Sequence, residues 1–144
     1  MSDTQYQERR STLRLKMEAE VELKLLVPHE TFSPRSLSGR TIDISAGGLG
    51  LVTYDLTKRE YGEILRGMSH AKLTVVHPFF SQPLQLAGKV VWSSFHDPRP
   101  GKPAHCFLGI SFHPFSRKAR EELDAELLRA QENLTASRID LPRQ

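Results

Sequence analysis

"MEAEVELKLL", residues 17–26, alternates without a break: Met17, Ala19, Val21, Leu23 and Leu25 on one side, Glu18, Glu20, Glu22 and Lys24 on the other. Successive side chains of an extended chain point to opposite faces, so this stretch reads as a strand with one dry face and one wet face. Pro28 ends it, and "PHETFSPRSLSG" (28–39) reads as a turn-rich loop.

The same period recurs downstream. "RTIDIS" (40–45) sets Ile42 and Ile44 on one face, "AGG" (46–48) interrupts it, and "LGLVT" (49–53) resumes. "YDLTKREYGEILRGMSH" (54–70) reads as a loop containing a helical turn. "AKLTVVH" (71–77) puts Leu73 and Val75 together. "LQLAGKVVWSS" (84–94) puts Leu84, Leu86, Gly88, Val90 and Trp92 on one face, which reads Trp92 as core, with a rim position beside a ligand as the alternative. After the turn "HDPRPGKP" (96–103), "HCFLGISFH" (105–113) alternates Cys106, Leu108, Ile110 and Phe112. Strands joined by short turns, with no long helix between them, predict a mainly β antiparallel sandwich or small barrel.

The period changes at Ser116, a good N-cap. Beyond it Ala119, Leu123, Leu127, Ala130 and Leu134 recur at helical spacing, one apolar stripe on a C-terminal helix. The expected organisation is a polar arm over 1–12, a barrel with its helix over 13–133, and a disordered tail over 134–144.

Composition narrows the function. With 144 residues, 38% hydrophobic and 26% charged, the chain is one ordinary domain. Its net charge of +3 (20 basic minus 17 acidic) is too small for bulk nucleic-acid binding, and most aromatics fall on core faces. No DNA or RNA partner is expected. The basic residues are nonetheless bunched near the start, at Arg9, Arg10, Arg14 and Lys16, an excess able to attract an anion. The lone cysteine, Cys106, rules out an internal disulfide and a four-cysteine zinc site. The six histidines are scattered without ligand spacing, so no metal is expected. No nucleophile elbow or dinucleotide loop occurs, so neither catalysis nor a cofactor is expected. No secretory leader or membrane span is read, so the expected location is cytoplasmic.

Two stretches carry the chemistry. In "DISAGG" (43–48), Asp43 and Ser45 share the outward face, opposite Ile42 and Ile44, and the strand runs into Gly47 and Gly48. Glycine there permits a positive φ and leaves amides uncovered. A carboxylate suits the N–H edge of guanine. Two arginines, as in "RSTLR" (10–14), suit phosphates and can grip the O6/N7 edge of guanine. Each stretch also has an ordinary reading, as a solvated basic arm and as a strand end whose Asp43 or Ser45 bonds to local backbone.

Taken together, in this order, they resemble the two motifs of the PilZ domain family: Arg10 to Arg14 its RxxxR motif, and Asp43 to Gly48 its (D/N)xSxxG motif. "CFLGISF" (106–112) is similar to that family's closing Gly-x-x-Phe strand, with Gly109 and Phe112 in register. The resemblance covers roughly residues 8 to 130. It implies a six-stranded antiparallel β-barrel with a C-terminal α-helix, and a receptor for cyclic di-GMP, a bacterial second messenger. It implies that Arg10 and Arg14 contact phosphate and guanine. Asp43 and Ser45 hold a guanine and a nearby phosphate, and Gly48 keeps the turn close. Arg9, directly before the motif, goes with a pair of intercalated ligand molecules. A downstream protein partner is implied too. The alternative is a PilZ-like adaptor that works through protein contacts without the nucleotide.

Overall fold

Alternation carries through into burial. In this computed structural model, which describes residues 14–26, 35–65 and 70–140, Met17, Ala19, Val21, Leu23 and Leu25 are all buried. Glu18, Glu20, Glu22 and Lys24 are exposed. The stretch is not one strand, however. β1 (Leu15–Lys16) and β2 (Glu20–Leu26) are separated by three residues, and β3 (Arg35–Ile44) runs past both. The gap is bridged by Thr41 of β3. Its Oγ1 accepts from the Ala19 amide at 2.8 Å and donates to the Met17 carbonyl at 2.7 Å. Thr41 is 1% exposed, so this hydroxyl does inside the protein what ladder bonds do elsewhere.

The remaining elements follow in order: β4 (Gly48–Thr53), α1 (Lys58–Leu65), β5 (His70–Val76), β6 (Leu84–His96), β7 (His105–Phe112) and α2 (Arg117–Asp140). All pairings are antiparallel. The ring β3-β2-β5-β6-β7-β4 closes because β3 pairs with β4 as well as with β2. This is the six-stranded antiparallel barrel with a C-terminal helix that the family resemblance implies, one of the two architectures the strand spacing allows, and β1 is a short addition along the end of β3. Its interior holds Val21, Leu23, Leu37, Ile44, Leu51, Leu73, Val75 and Leu108. Leu123, Leu127 and Ala130 of α2 join that core, and Leu134 packs against it. Ser116 caps α2 as expected, its Oγ accepting from the Ala119 amide at 3.1 Å. Glu126 then ties the helix to the β5–β6 loop, taking both the amide and the hydroxyl of Ser81.

Several expectations need correction. β3 begins at Arg35, inside the expected loop, and buries Leu37. α1 is a full helix with a capping box: Thr57 Oγ1 accepts from the Glu60 amide, and Glu60 Oε1 accepts from the Thr57 amide. α2 continues through residues 134–140, which were expected in the tail; residues 141–144 and the expected arm over 1–12 lie outside the described residues.

Ile42 does not share the face of Ile44: it is 42% exposed, while Ile44 is 1% exposed. Trp92 is not in the core either, being 52% exposed. Both departures have one cause. The β3–β4 register steps from Thr41↔Leu51 to Asp43↔Gly50, which makes Ile42 an extra residue. The β6–β7 register steps from Val90↔Ile110 to Trp92↔Gly109, which makes Val91 another. One inserted residue reverses the inward-outward phase of everything after it.

Two outcomes test this packing. Thr41→Val keeps the shape but strands a buried N–H and C=O, so it should cost about 1–3 kcal/mol. Urea unfolding should show a lower midpoint at unchanged slope. His77 gives a pH signature. Its Nδ1 accepts from the Phe79 amide at 3.0 Å, and burial lowers its pKa from the usual 6.5. The unfolded chain therefore takes up this proton first as pH falls. Stability contributed here should be complete above about 6.5 and decline below it until the folded-state pKa is passed. Thermal melts from pH 7.5 to 5.5 should fall more steeply for wild type than for His77→Asn, whose amide oxygen can accept the same bond without titrating.

Candidate functional site

The extra residue at Ile42 turns Asp43 to the outside of the barrel, and the extra residue at Val91 does the same for Trp92. The register then lines up one row across five strands: Lys16, Asp43, Gly50, Gly109 and Trp92, from β1, β3, β4, β7 and β6. A shallow cleft of about 420 Å³ lies along this row, with Arg14, Ser45 and Ser111 among its walls.

Asp43 is held at both oxygens. Oδ1 accepts from the Gly50 amide at 3.0 Å, and Oδ2 accepts from Arg14 Nη1 at 3.1 Å. The first bond comes from fixed strand backbone. The second comes from a side chain that is 68% exposed against 23% for Asp43. An ion pair so open to water contributes about 1 kcal/mol at most. The cluster therefore has a rigid half, Asp43 on Gly50, and a displaceable half, Arg14.

Ser45 departs from the outward reading. It is 7% exposed, and its Oγ donates to the Gly48 carbonyl and accepts from the Gly47 amide, both at 3.2 Å. The Ser45 amide also donates to the Gly48 carbonyl, at 2.8 Å. These bonds close the β3–β4 hairpin, the local-backbone role that was the ordinary reading of this stretch. Gly48 works by close approach and not by a positive φ, which among the described glycines occurs at Gly101 alone. A Cβ at Gly48 would run into the Ile110 carbonyl of β7. Gly47 is exposed, with open space where its Cβ would be.

Of the expected site residues, the structure brings Arg14, Asp43, Ser45 and Gly48 to one cleft. Arg9 and Arg10 lie outside the described residues. Trp92, read first as core with the rim as alternative, is a wall of the cleft, its indole lying over Gly109. Glycine inside strand patterns, at 50 and 109, was the available signal of a close approach.

The sequence profile of the PilZ domain family matches residues 8–129. The chain belongs to the PilZ domain family. Its fold is similar to the PilZ domain of Escherichia coli YcgR with c-di-GMP, at TM-score 0.65 and 14% identity over 92% of this chain and 99% of that one. It is also similar to MrkH of K. pneumonia in its apo state, at TM-score 0.63 and 13% identity over 87% of this chain and 52% of that one. PlzA of Borreliella burgdorferi in complex with c-di-GMP gives TM-score 0.53 and 12% identity over 99% of this chain and 59% of that one. This PilZ domain thus spans just over half the length of the latter two chains. At such identities the likeness concerns the fold. No curated protein matches the sequence significantly.

The hairpin glycines are separable by stability. Gly48→Ala should cost about 1–3 kcal/mol, because backbone of β7 must give way. Gly47→Ala, with open space, should stay within about 0.5 kcal/mol of wild type. Thermal or urea unfolding of the two variants side by side checks the assignment.

Proposed function

We propose that this PilZ domain is a cyclic di-GMP receptor that binds the dinucleotide between its N-terminal arginines and the outer face of the barrel. The observation that carries the reading is the meeting of Arg14 and Asp43, 29 residues apart in sequence, at 3.1 Å beside an exposed tryptophan. A guanidinium, a carboxylate and an indole are three groups suited to a guanine nucleotide: phosphate or the O6/N7 edge for arginine, the N–H edge for the carboxylate, a base face for the indole. Two of the similar folds, YcgR and PlzA, are described with c-di-GMP.

In this reading Arg14 leaves Asp43 Oδ2 for the ligand, and Arg9 and Arg10 join it from the segment before β1. Asp43 keeps its bond to the Gly50 amide and offers Oδ2 to guanine. Ser45 and Gly48 hold the hairpin and its backbone against a phosphate. Trp92 covers one guanine. The domain is a receptor and not a catalyst, and it signals to a protein partner through the surface that arginines, ligand and barrel make together. Among the described residues no helix is long and apolar enough to cross a membrane.

The same geometry lends some weight to the alternative, an adaptor that needs no nucleotide. Both Asp43 oxygens and the Ser45 hydroxyl already have partners within the protein.

Calorimetry with cyclic di-GMP, against GTP, decides between them. Binding at micromolar affinity or tighter, with GTP much weaker, is the expected result; no heat and no rise in melting temperature at physiological salt would favour the adaptor. Arg14→Ala should cost about 1.5–3 kcal/mol of binding, or one to two decades in affinity. Arg9→Ala should move the stoichiometry toward one nucleotide per protein if Arg9 supports a ligand pair. In the same samples, amide exchange over residues 5–16 should slow on saturation.

A further inference from the structure

The glycines of this barrel fall into two groups. At Gly39, Gly48 and Gly88 an added Cβ would collide with backbone carbonyls, those of Val52, Ile110 and Ser111. These glycines let strands of a small closed barrel come together. Gly50 and Gly109 are different. They are directly paired across β4 and β7, and neither has a positive φ. A Cβ on Gly109 would meet the Trp92 indole, at Nε1, Cε2 and Cδ1. A Cβ on Gly50 would lie 3.0 Å from Asp43 Oδ1 and 3.9 Å from Trp92 Cζ2. The nearest obstacles at these two positions are side chains of the cleft, not backbone.

Glycine inside a strand is unfavourable by roughly 0.5–1 kcal/mol relative to alanine. Two of them, face to face, in mid-strand, with no backbone conformation that requires them, call for a reason in what they carry. That reason is visible in the row from Asp43 to Trp92. With no side chain between, the indole lies down across Gly109, and its six-membered ring approaches Gly50. The carboxylate lies down onto the Gly50 amide from the other side. Trp92 has one face against the sheet and stays 52% exposed, which leaves its other face to solvent.

We propose that Gly50 and Gly109 are positioning residues of the ligand site. They hold the Asp43 carboxylate and the Trp92 indole flat against the sheet and close together. One planar base can then stack on the indole while its edge reaches the carboxylate. A methyl group at either position lifts one of the two groups and separates them. This rests on the cyclic di-GMP reading above.

The test is a cycle of Gly109→Ala and Trp92→Ala, singly and together, with three readouts. Indole emission and near-UV circular dichroism, taken without ligand, report the seating of Trp92. Thermal unfolding reports the fold. Calorimetry with cyclic di-GMP reports the site. Gly109→Ala should change the indole signal, keep a cooperative transition, and weaken binding at least tenfold. In the Trp92→Ala background the same change should leave affinity within twofold. An unchanged indole signal in Gly109→Ala, unchanged affinity, or losses that simply add would overturn the proposal. If Gly109→Ala does not fold, Gly50→Ala serves: it should bind at least tenfold more weakly while folded, and wild-type affinity there would sink the idea. Should wild type bind no cyclic di-GMP, the functional reading fails, and the indole signal alone still confirms or refutes the seating.

Discussion

A β-strand has a period of two, and one inserted residue inverts it. Everything on the outer face of this barrel depends on that rule applied twice. In β3, Leu37 and Thr41 point inward, and without Ile42 as an extra residue Asp43 would follow them into the core. A carboxylate there would have no water and no matched partner, a costly burial. In β6, Leu84, Leu86 and Val90 point inward, and Val91 as an extra residue sends Trp92 out. The two irregularities lie on either side of the β4–β7 pair, so the side chains they redirect converge over Gly50 and Gly109. The cost is apolar surface left in water at Ile42 and Val91, which are 42% and 53% exposed.

The site so formed is satisfied before any ligand arrives. Asp43 has two donors, and the Ser45 hydroxyl has a donor and an acceptor. On the proposed reading, binding there exchanges one set of hydrogen bonds for another, so net affinity would come from what the exchange adds: ligand charge near arginine and a base face over the indole. The bond most easily exchanged is the one with the most exposed partner, Arg14. It stands just before β1, a strand of two residues that pairs with the end of β3 and is anchored in the core by Leu15. The barrel side of the site is fixed by strand backbone, while the Arg14 side chain reaches it from solvent.

Closure of the barrel serves the same division. Every strand from β2 to β7 has two neighbours, so the barrel ring itself offers no free strand edge, and the short β1 is the one described strand with a single neighbour. α2 is anchored by Leu123, Leu127 and Ala130, and again by Glu126 on Ser81. What remains free to vary among the described residues is surface: the cleft, the exposed Trp92 and the Arg14 side chain.

The sequence by itself determined the strands, their inward residues over most of their length, the capped C-terminal helix and the two motifs. All of these rest on local spacing. Met17 to Leu25, Leu73 with Val75, and Cys106 to Ile110 were legible because a period of two needs no knowledge of the neighbouring strand. The capping box of α1, Thr57 with Glu60, and the apolar spacing of Tyr61, Ile64 and Leu65 were equally local, although the segment was read as a loop with a helical turn. Tertiary structure alone decided where the period slips. An extra residue is defined by two strands in register, and nothing in "RTIDIS" or "GKVVWSS" marks it. For that reason Ile42 was placed with Ile44 and Trp92 was read first as core, and the paired glycines beneath Asp43 and Trp92 had no visible purpose until the strands were brought together; Ser45 left the outward face for a different reason, the closing of the β3–β4 hairpin.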